Sequence, residues 1–419
     1  MLPDVKATPM PRGSFTLLVF VLLTSALLAD VSRVAAQTHV IPSISVAERY
    51  DSNVYFITGG KKLQDYVTTI SPALTIEHKG RLLDAVGGLR MNAETYARNP
   101  GLNYVAGTAS IATTLDELVG RLDRRLKLYV SDYLTYTPQP PAFYAPLPGG
   151  TTTLVADAPE NFIRGIQASR ANSLINVATA STSFGLTQST SLTGTLSHQY
   201  MRFGTAFAPT PGQGFFTTSF LNIGAGPRFN ITPVDSLTLM ANYSRMSFSQ
   251  GERFSSSFNT TGATASWNHA FSKRFSGIVT GGATVFSPGG NLTYLGGLTL
   301  IWREQNTDTT FSYSRSVFPS FFIAAVPLIS DVVSLSVLHR FTDKVSGSVT
   351  GNYGKNESIE GAQLSFTSYG GSAGLNYAIT KRMRASLSYT HTVIKNAFLG
   401  QNFNFDRDAV SVSVSYEWR

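Results

Sequence analysis

From about Val40 to the end of the chain, apolar and polar side chains alternate. Val410, Val412, Val414, Tyr416 and Trp418 interleave with Ser411, Ser413, Ser415 and Glu417. Val333, Leu335, Val337, His339 and Phe341 interleave with Ser334, Ser336, Leu338 and Arg340. Met383, Ala385, Leu387, Tyr389 and His391 interleave with Arg384, Ser386, Ser388 and Thr390. A period of two sets one strand face against an apolar phase and the other against water or polar groups. The runs are about ten residues long, which suits a tilted strand crossing a bilayer.

The connections alternate in length. Short ones are expected at 78–80, 115–117, 186–188, 232–235, 272–274, 304–306, 342–344 and 380–382. The others fall near 51–64, 98–102, 137–160, 204–215, 250–254, 287–291, 318–330, 354–361 and 394–404, and most are longer. Eight turns and nine loops join about 18 strands; the stretch 161–190 reads as one strand more or less, so 16 stays open. The pattern predicts an all-β, transmembrane, antiparallel up-and-down barrel with short periplasmic turns and longer extracellular loops. Closure satisfies every backbone group, as lipid requires. Five turns share an apolar residue followed by Thr or Ser: Leu186-Thr187, Ile231-Thr232, Phe271-Ser272, Phe341-Thr342 and Ile379-Thr380.

The N-terminus reads differently. Lys6 and Arg12 precede an apolar run from Phe15 to Ala29, and Val34-Ala35-Ala36 offers small residues for cleavage before Gln37. This three-part pattern predicts a secretory signal peptide over 1–36 and a single barrel domain over 37–419. Charged residues make up only 14% of the chain, well below the ~25% of soluble domains. The absence of cysteine excludes disulfides, thiolate metal sites and cysteine-linked haem. Six scattered histidines form no metal-spaced pair, and no nucleophile elbow, phosphate-cradling glycine loop or zinc motif is present. No enzyme activity, cofactor or metal is expected. Export also separates the chain from nucleic acid, despite its net charge of +8.

Within a barrel, the polar parity nominates Arg90, Glu94, Arg125 and Lys127 as lumen-facing. The longest connection is the third on the long side. Its Pro138, Pro140, Pro141, Phe143 and Tyr144 are stiff and uncharged, suiting a constriction loop or a surface loop. Lys273, Arg274, Arg340, Lys344, Lys381, Arg382 and Arg384 gather at the short turns, as an anion-attracting periplasmic mouth or as headgroup contacts. Aromatic residues on the apolar parity, Trp267, Trp302, Tyr243 and Tyr353 among them, suit interfacial girdles. The closing Tyr416-Glu417-Trp418-Arg419 resembles the signal read by the barrel assembly machinery, with Arg419 as a departure after the aromatic.

Val46-Ala47-Glu48-Arg49-Tyr50-Asp51-Ser52-Asn53-Val54-Tyr55 and the strand Asp65-Tyr66-Val67-Thr68-Thr69-Ile70-Ser71-Pro72-Ala73-Leu74 carry a family resemblance. Together they resemble the opening of the type two beta-barrel porins of Gram-negative outer membranes. That resemblance implies a bacterial outer-membrane location, lipid contact and a passive channel for small solutes, anions among them. Some members accompany exopolysaccharide or exosortase loci. The second expectation is therefore a component of exopolysaccharide export, or a sheath for a periplasmic partner such as a cytochrome. The resemblance brings no functional residues with it and leaves the oligomeric state open.

Overall fold

The computed structural model describes residues 37–54, 62–137, 143–144, 162–163, 171–206, 216–250, 254–319, 326–359, 364–398 and 401–418. Eighteen strands form one sheet. In chain order they are β1 (Gln37–Asp51), β2 (Asp65–Lys79), β3 (Asp84–Tyr96), β4 (Tyr104–Thr114) and β5 (Leu126–Thr137), then β8 (Ala171–Gly185), β9 (Thr190–Ala206), β10 (Thr217–Asn230) and β11 (Asp235–Gln250). There follow β12 (Phe254–Ala270), β13 (Phe275–Ser287), β14 (Leu292–Arg303), β15 (Thr307–Pro319) and β16 (Pro327–Arg340). The last four are β17 (Val345–Ser358), β18 (Leu364–Ala378), β19 (Met383–Phe398) and β20 (Gln401–Glu417). Two-residue strands β6 (Phe143–Tyr144) and β7 (Phe162–Ile163) pair with each other in a separate sheet.

Each barrel strand pairs antiparallel with its neighbours in sequence, β5 being followed by β8. β1 then pairs with β20, from Ser43↔Glu417 to Asp51↔Ala409, and closes the sheet. The eighteen-strand count therefore stands, and among the described residues 161–190 contributes β8 to the wall before β9 opens at Thr190.

The alternation maps onto the two faces of the closed wall. Val410, Val412, Val414, Leu387, Leu335 and Val349 are exposed on the outside. Their neighbours Ser411, Ser413, Ser386, Ser334 and Ser348 point inward by the pleat. Inward Gly262 and Gly282 lie diagonally across β12 and β13, opposite Thr284 and Thr264, and a Cβ on either would lie 2.2 Å from a carbonyl oxygen of the facing strand. Only glycine permits that approach.

The five repeated turns share one device. Thr187, Thr232, Ser272, Thr342 and Thr380 each accept hydrogen bonds from the backbone N–H groups two and three residues ahead, at 3.0–3.2 Å. The hydroxyl satisfies amides that a tight reversal leaves orphaned. The apolar residue before it stays exposed on the outer side, ready for the lipid boundary.

One short connection departs from expectation. Between β4 and β5, residues 115–125 contain a four-residue helix, α1 (Asp116–Val119). The Asp116 carboxylate accepts the Leu128 amide at 2.9 Å and pins this turn to β5.

Candidate functional site

The lumen wall carries three kinds of chemistry at different heights. Its middle is a surface of hydroxyls. Cross-strand pairs join Ser131 to Thr179, Ser266 to Thr280, Ser312 to Ser334, Thr350 to Ser372, and Ser386 to Ser413, all at 2.6–2.8 Å. Pairing in this way holds each hydroxyl in place and contributes modestly to sheet stability. On the described parts of β11 to β19, inward charges sit only toward the short-connection ends, at Arg303, Asp308, Arg340 and Arg384.

At the long-connection end the inward face turns apolar. Met246, Phe248, Phe286, Phe318, Leu328 and Ile394 are all inward and buried. Met246 and Phe248 pack with Phe216, Phe220 and Phe258. On the opposite arc Val54, Val67, Tyr96 and Leu102 form a second cluster. Exposure of inward positions thus rises from this collar toward the short turns: Leu328, Ser330 and Val332 are buried, whereas Leu338 on the same strand is exposed. Inward side chains are packed over at the collar and open to solvent nearer the short turns.

A charged cluster lies beside the second apolar group, across the seam where β1 meets β20. Arg407 on β20 forks onto the Asp51 carboxylate, with its Nε at 2.9 and 3.0 Å from the two oxygens and its Nη2 also bonded. Arg49 reaches Glu94 at 3.1 Å and Asp51 at 3.8 Å. The Tyr96 hydroxyl donates to Glu94 at 3.0 Å. Backbone groups complete the seam: Ser52 N–H donates to the Asp408 carbonyl, Asp408 N–H to the Ser52 hydroxyl, and the Asn53 side-chain amide to the Asp406 carbonyl. The Tyr-Asp-Ser-Asn segment therefore clamps the first strand to the last. Sequence pattern marked these residues without showing what they bind, because Asp51 and Arg407 are 356 positions apart.

The candidates named from sequence are dispersed. Arg90 and Lys127 point inward, Lys127 near the short-connection end. Glu94 points inward but is buried in the seam cluster. Arg125 directly precedes β5 at its short-connection end, its carbonyl accepting from the Gly185 N–H at 3.0 Å. Its guanidinium pairs with Asp123 at 2.7 Å and lies 4.6 Å from the ring centroid of Phe184, whose parity is outward. Hydrogen bonds from Arg125 hold the Asp123 carboxyl down at about 2. Arg340 and Arg384 point inward at the short-connection ends of their strands, whereas Lys273, Arg274, Lys344, Lys381 and Arg382 occupy the turns themselves. Tyr416 and Trp418 stack edge-on at 4.9 Å on the outer side. Pro138, Pro140 and Pro141 lie outside the described residues, and of Phe143 and Tyr144 only the pairing with Ile163 and Phe162 is described. Among the described residues no three of His, Asp and Glu gather as a metal site.

Outer aromatics form two bands. Trp267, Phe271, Phe275 and Trp302 lie toward the short turns, with His269 packed between Trp267 and Phe271. Tyr243, Tyr353, Tyr369 and Tyr389 are exposed on the outer face nearer the other end. Paired bands of this kind mark the two boundaries of a bilayer.

Residues 293–417 match the family described as Putative beta-barrel porin 2. The match runs from β14 to β20, whereas the resemblance read from sequence sat on β1 and β2 at the other side of the seam. No curated protein matches the chain. Several solved structures are similar. Pseudomonas aeruginosa OccK2 (OpdF) is 9% identical over 90% of this chain and 98% of its own, with a TM-score of 0.46. OccK3 (OpdO) of the same organism is 12% identical over 90% and 95%, with a TM-score of 0.43. The Pseudomonas aeruginosa siderophore receptor PirA is 8% identical over 91% and 80%, with a TM-score of 0.44. The molecule is a porin-like β-barrel of the outer-membrane type.

Proposed function

We propose that this barrel is a passive channel for small polar solutes, delivered to the outer membrane after cleavage of residues 1–36, and not an enzyme. The hydroxyl wall carries the reading. An inward surface of paired serines and threonines, uncharged through the middle of β11 to β19, wets readily and offers no fixed charge to hold an ion. This favours neutral solutes over the anions that the basic turns suggested. The apolar collar at the long-connection end is the narrow part of the path and limits solute size.

Reversal potentials across a planar bilayer test the reading. The native protein should discriminate weakly between potassium and chloride. Changing inward Arg90 and Lys127 together to glutamate should move selectivity toward cations, and the shift should shrink at 1 M salt, where the Debye length is ~3 Å. Strong anion selectivity in the native protein would contradict a neutral wall. Orientation is tested separately. Tags in 354–361 should be labelled on intact cells, and tags at Lys273 or Lys381 should not. Labelling at Lys381 on sealed cells would reverse the orientation.

A further inference from the structure

The outer wall is not uniformly apolar. On most strands the rows of outward residues are aliphatic up to the tyrosine band. On β9 to β12 the rows above that band are polar except at Leu221. Leu196, Ile223 and Tyr243 form one registered outer row. The next row toward the long connections is His198, Leu221, Arg245 and Asn259. Beyond it come Tyr200, Ser219, Ser247 and Ser257, and then Thr217, Ser249 and Ser255. Arg202 follows two residues after Tyr200 on the same face. Leu221 alone is apolar in these three rows.

The two arginines differ from the other outward bases at this level. Arg315 is held by Asp331 at 3.0 Å, and Lys355 by Glu357 at 2.7 Å. Lys395 lies 5.6 Å from the Tyr369 ring centroid. Arg202 and Arg245 are exposed, and neither has a carboxylate partner among the described residues. Two exposed guanidinium groups without a carboxylate, just beyond the bilayer boundary, are placed to take an anion from the headgroup layer. Around them Ser219 meets His198 at 3.0 Å, and the Asn259 amide oxygen accepts from the Tyr243 hydroxyl at 3.1 Å. Strand spacing puts the two arginine backbones about 15 Å apart. That separation lets both forks reach one large headgroup, and Thr217 and Ser219 on the strand between them, with the serines of β11 and β12 alongside, suit sugar.

We infer that the outer face of β9 to β12 is a binding surface for a phosphorylated glycolipid of the outer leaflet, with Arg202 and Arg245 taking its phosphates and the serine field its sugar hydroxyls. Guanidinium groups bind phosphate through paired, charge-assisted hydrogen bonds. The position just beyond the tyrosine band is where such a headgroup lies when its acyl chains cover Leu196 and Ile223. The inference rests on the long connections facing the cell exterior. It does not depend on whether the lumen conducts.

The test uses the folded full-length protein in lipid nanodiscs, with three probes: a bis-phosphorylated glucosamine-disaccharide lipid, the same lipid dephosphorylated, and phosphatidylglycerol. Retention is read by native mass spectrometry. The phosphorylated glycolipid should bind well above the other two. The double variant Arg202→Gln/Arg245→Gln should lose about tenfold in apparent affinity, as expected for lost charge-assisted bonds. Arg315→Gln, whose guanidinium already has a carboxylate, should change binding less than twofold. Heat-modifiable migration on gels confirms that each variant is folded. Equal retention of the dephosphorylated lipid, or of phosphatidylglycerol, would overturn the assignment. So would an unchanged double variant, or one whose only effect is to dissociate an oligomer.

Discussion

Asp51→Asn is expected to destabilise the barrel by about 3–5 kcal/mol, the cost of removing one partner from a buried ion pair. Asp51 is 1% exposed and Arg407 11% exposed, so water cannot replace the lost carboxylate. The variant leaves Arg407 without its forked partner and removes one of the two carboxylates near Arg49. The damage falls on the seam that makes the sheet a closed barrel. Urea titrations of the folded band on gels should show the midpoint falling by the corresponding amount. The double variant Asp51→Asn/Arg407→Gln should lose less than the two single losses added together, because both single variants lose the same forked contact. An unchanged midpoint for Asp51→Asn would show that the seam is held by its backbone ladder alone.

Leu387→Arg should cost about 2–4 kcal/mol if that position lies near the bilayer midplane. Leu387 is 49% exposed on the outer wall, registered with Leu375 and Val412 in an apolar row. Ser386→Arg places the same group one residue away in the lumen. It breaks the 2.6 Å contact with Ser413 and should cost about 1 kcal/mol, the net worth of one hydrogen bond. The comparison is made on the fraction of heat-resistant folded barrel. Equal losses would contradict the assignment of the two faces.

Much of this wall was legible in the sequence because strand periodicity and turn chemistry are local. The alternation around Leu387 and Val412 set which face meets lipid, and Thr232, Ser272 and Thr380 marked turns whose hydroxyls do cap the reversal. The seam clamp was not legible, because its partners come from opposite ends of the chain. Nor was the Asp123 partner of Arg125 legible, because α1 lengthens the turn that carries both residues. The collar left a signal that went unused. Met246, Phe248, Phe286 and Ile394 are apolar residues on the polar parity, near the long-connection ends of their strands. A break in alternation repeated at the same end of several strands indicates a lumen that changes character there.

The central claim is that the hydroxyl wall encloses a water-filled path through the membrane. Since the chain has no cysteine, a single introduced thiol reports on one position only. Single-channel recording of Ser388→Cys, before and after a bulky, charged thiol reagent, tests the claim directly. Ser388 faces the lumen beside Ser411, midway along β19. The account predicts steady conductance that falls in steps as the reagent reacts, and no such fall for Leu387→Cys. A folded barrel that carries no current, or that is blocked from residue 387 and not from 388, would contradict it.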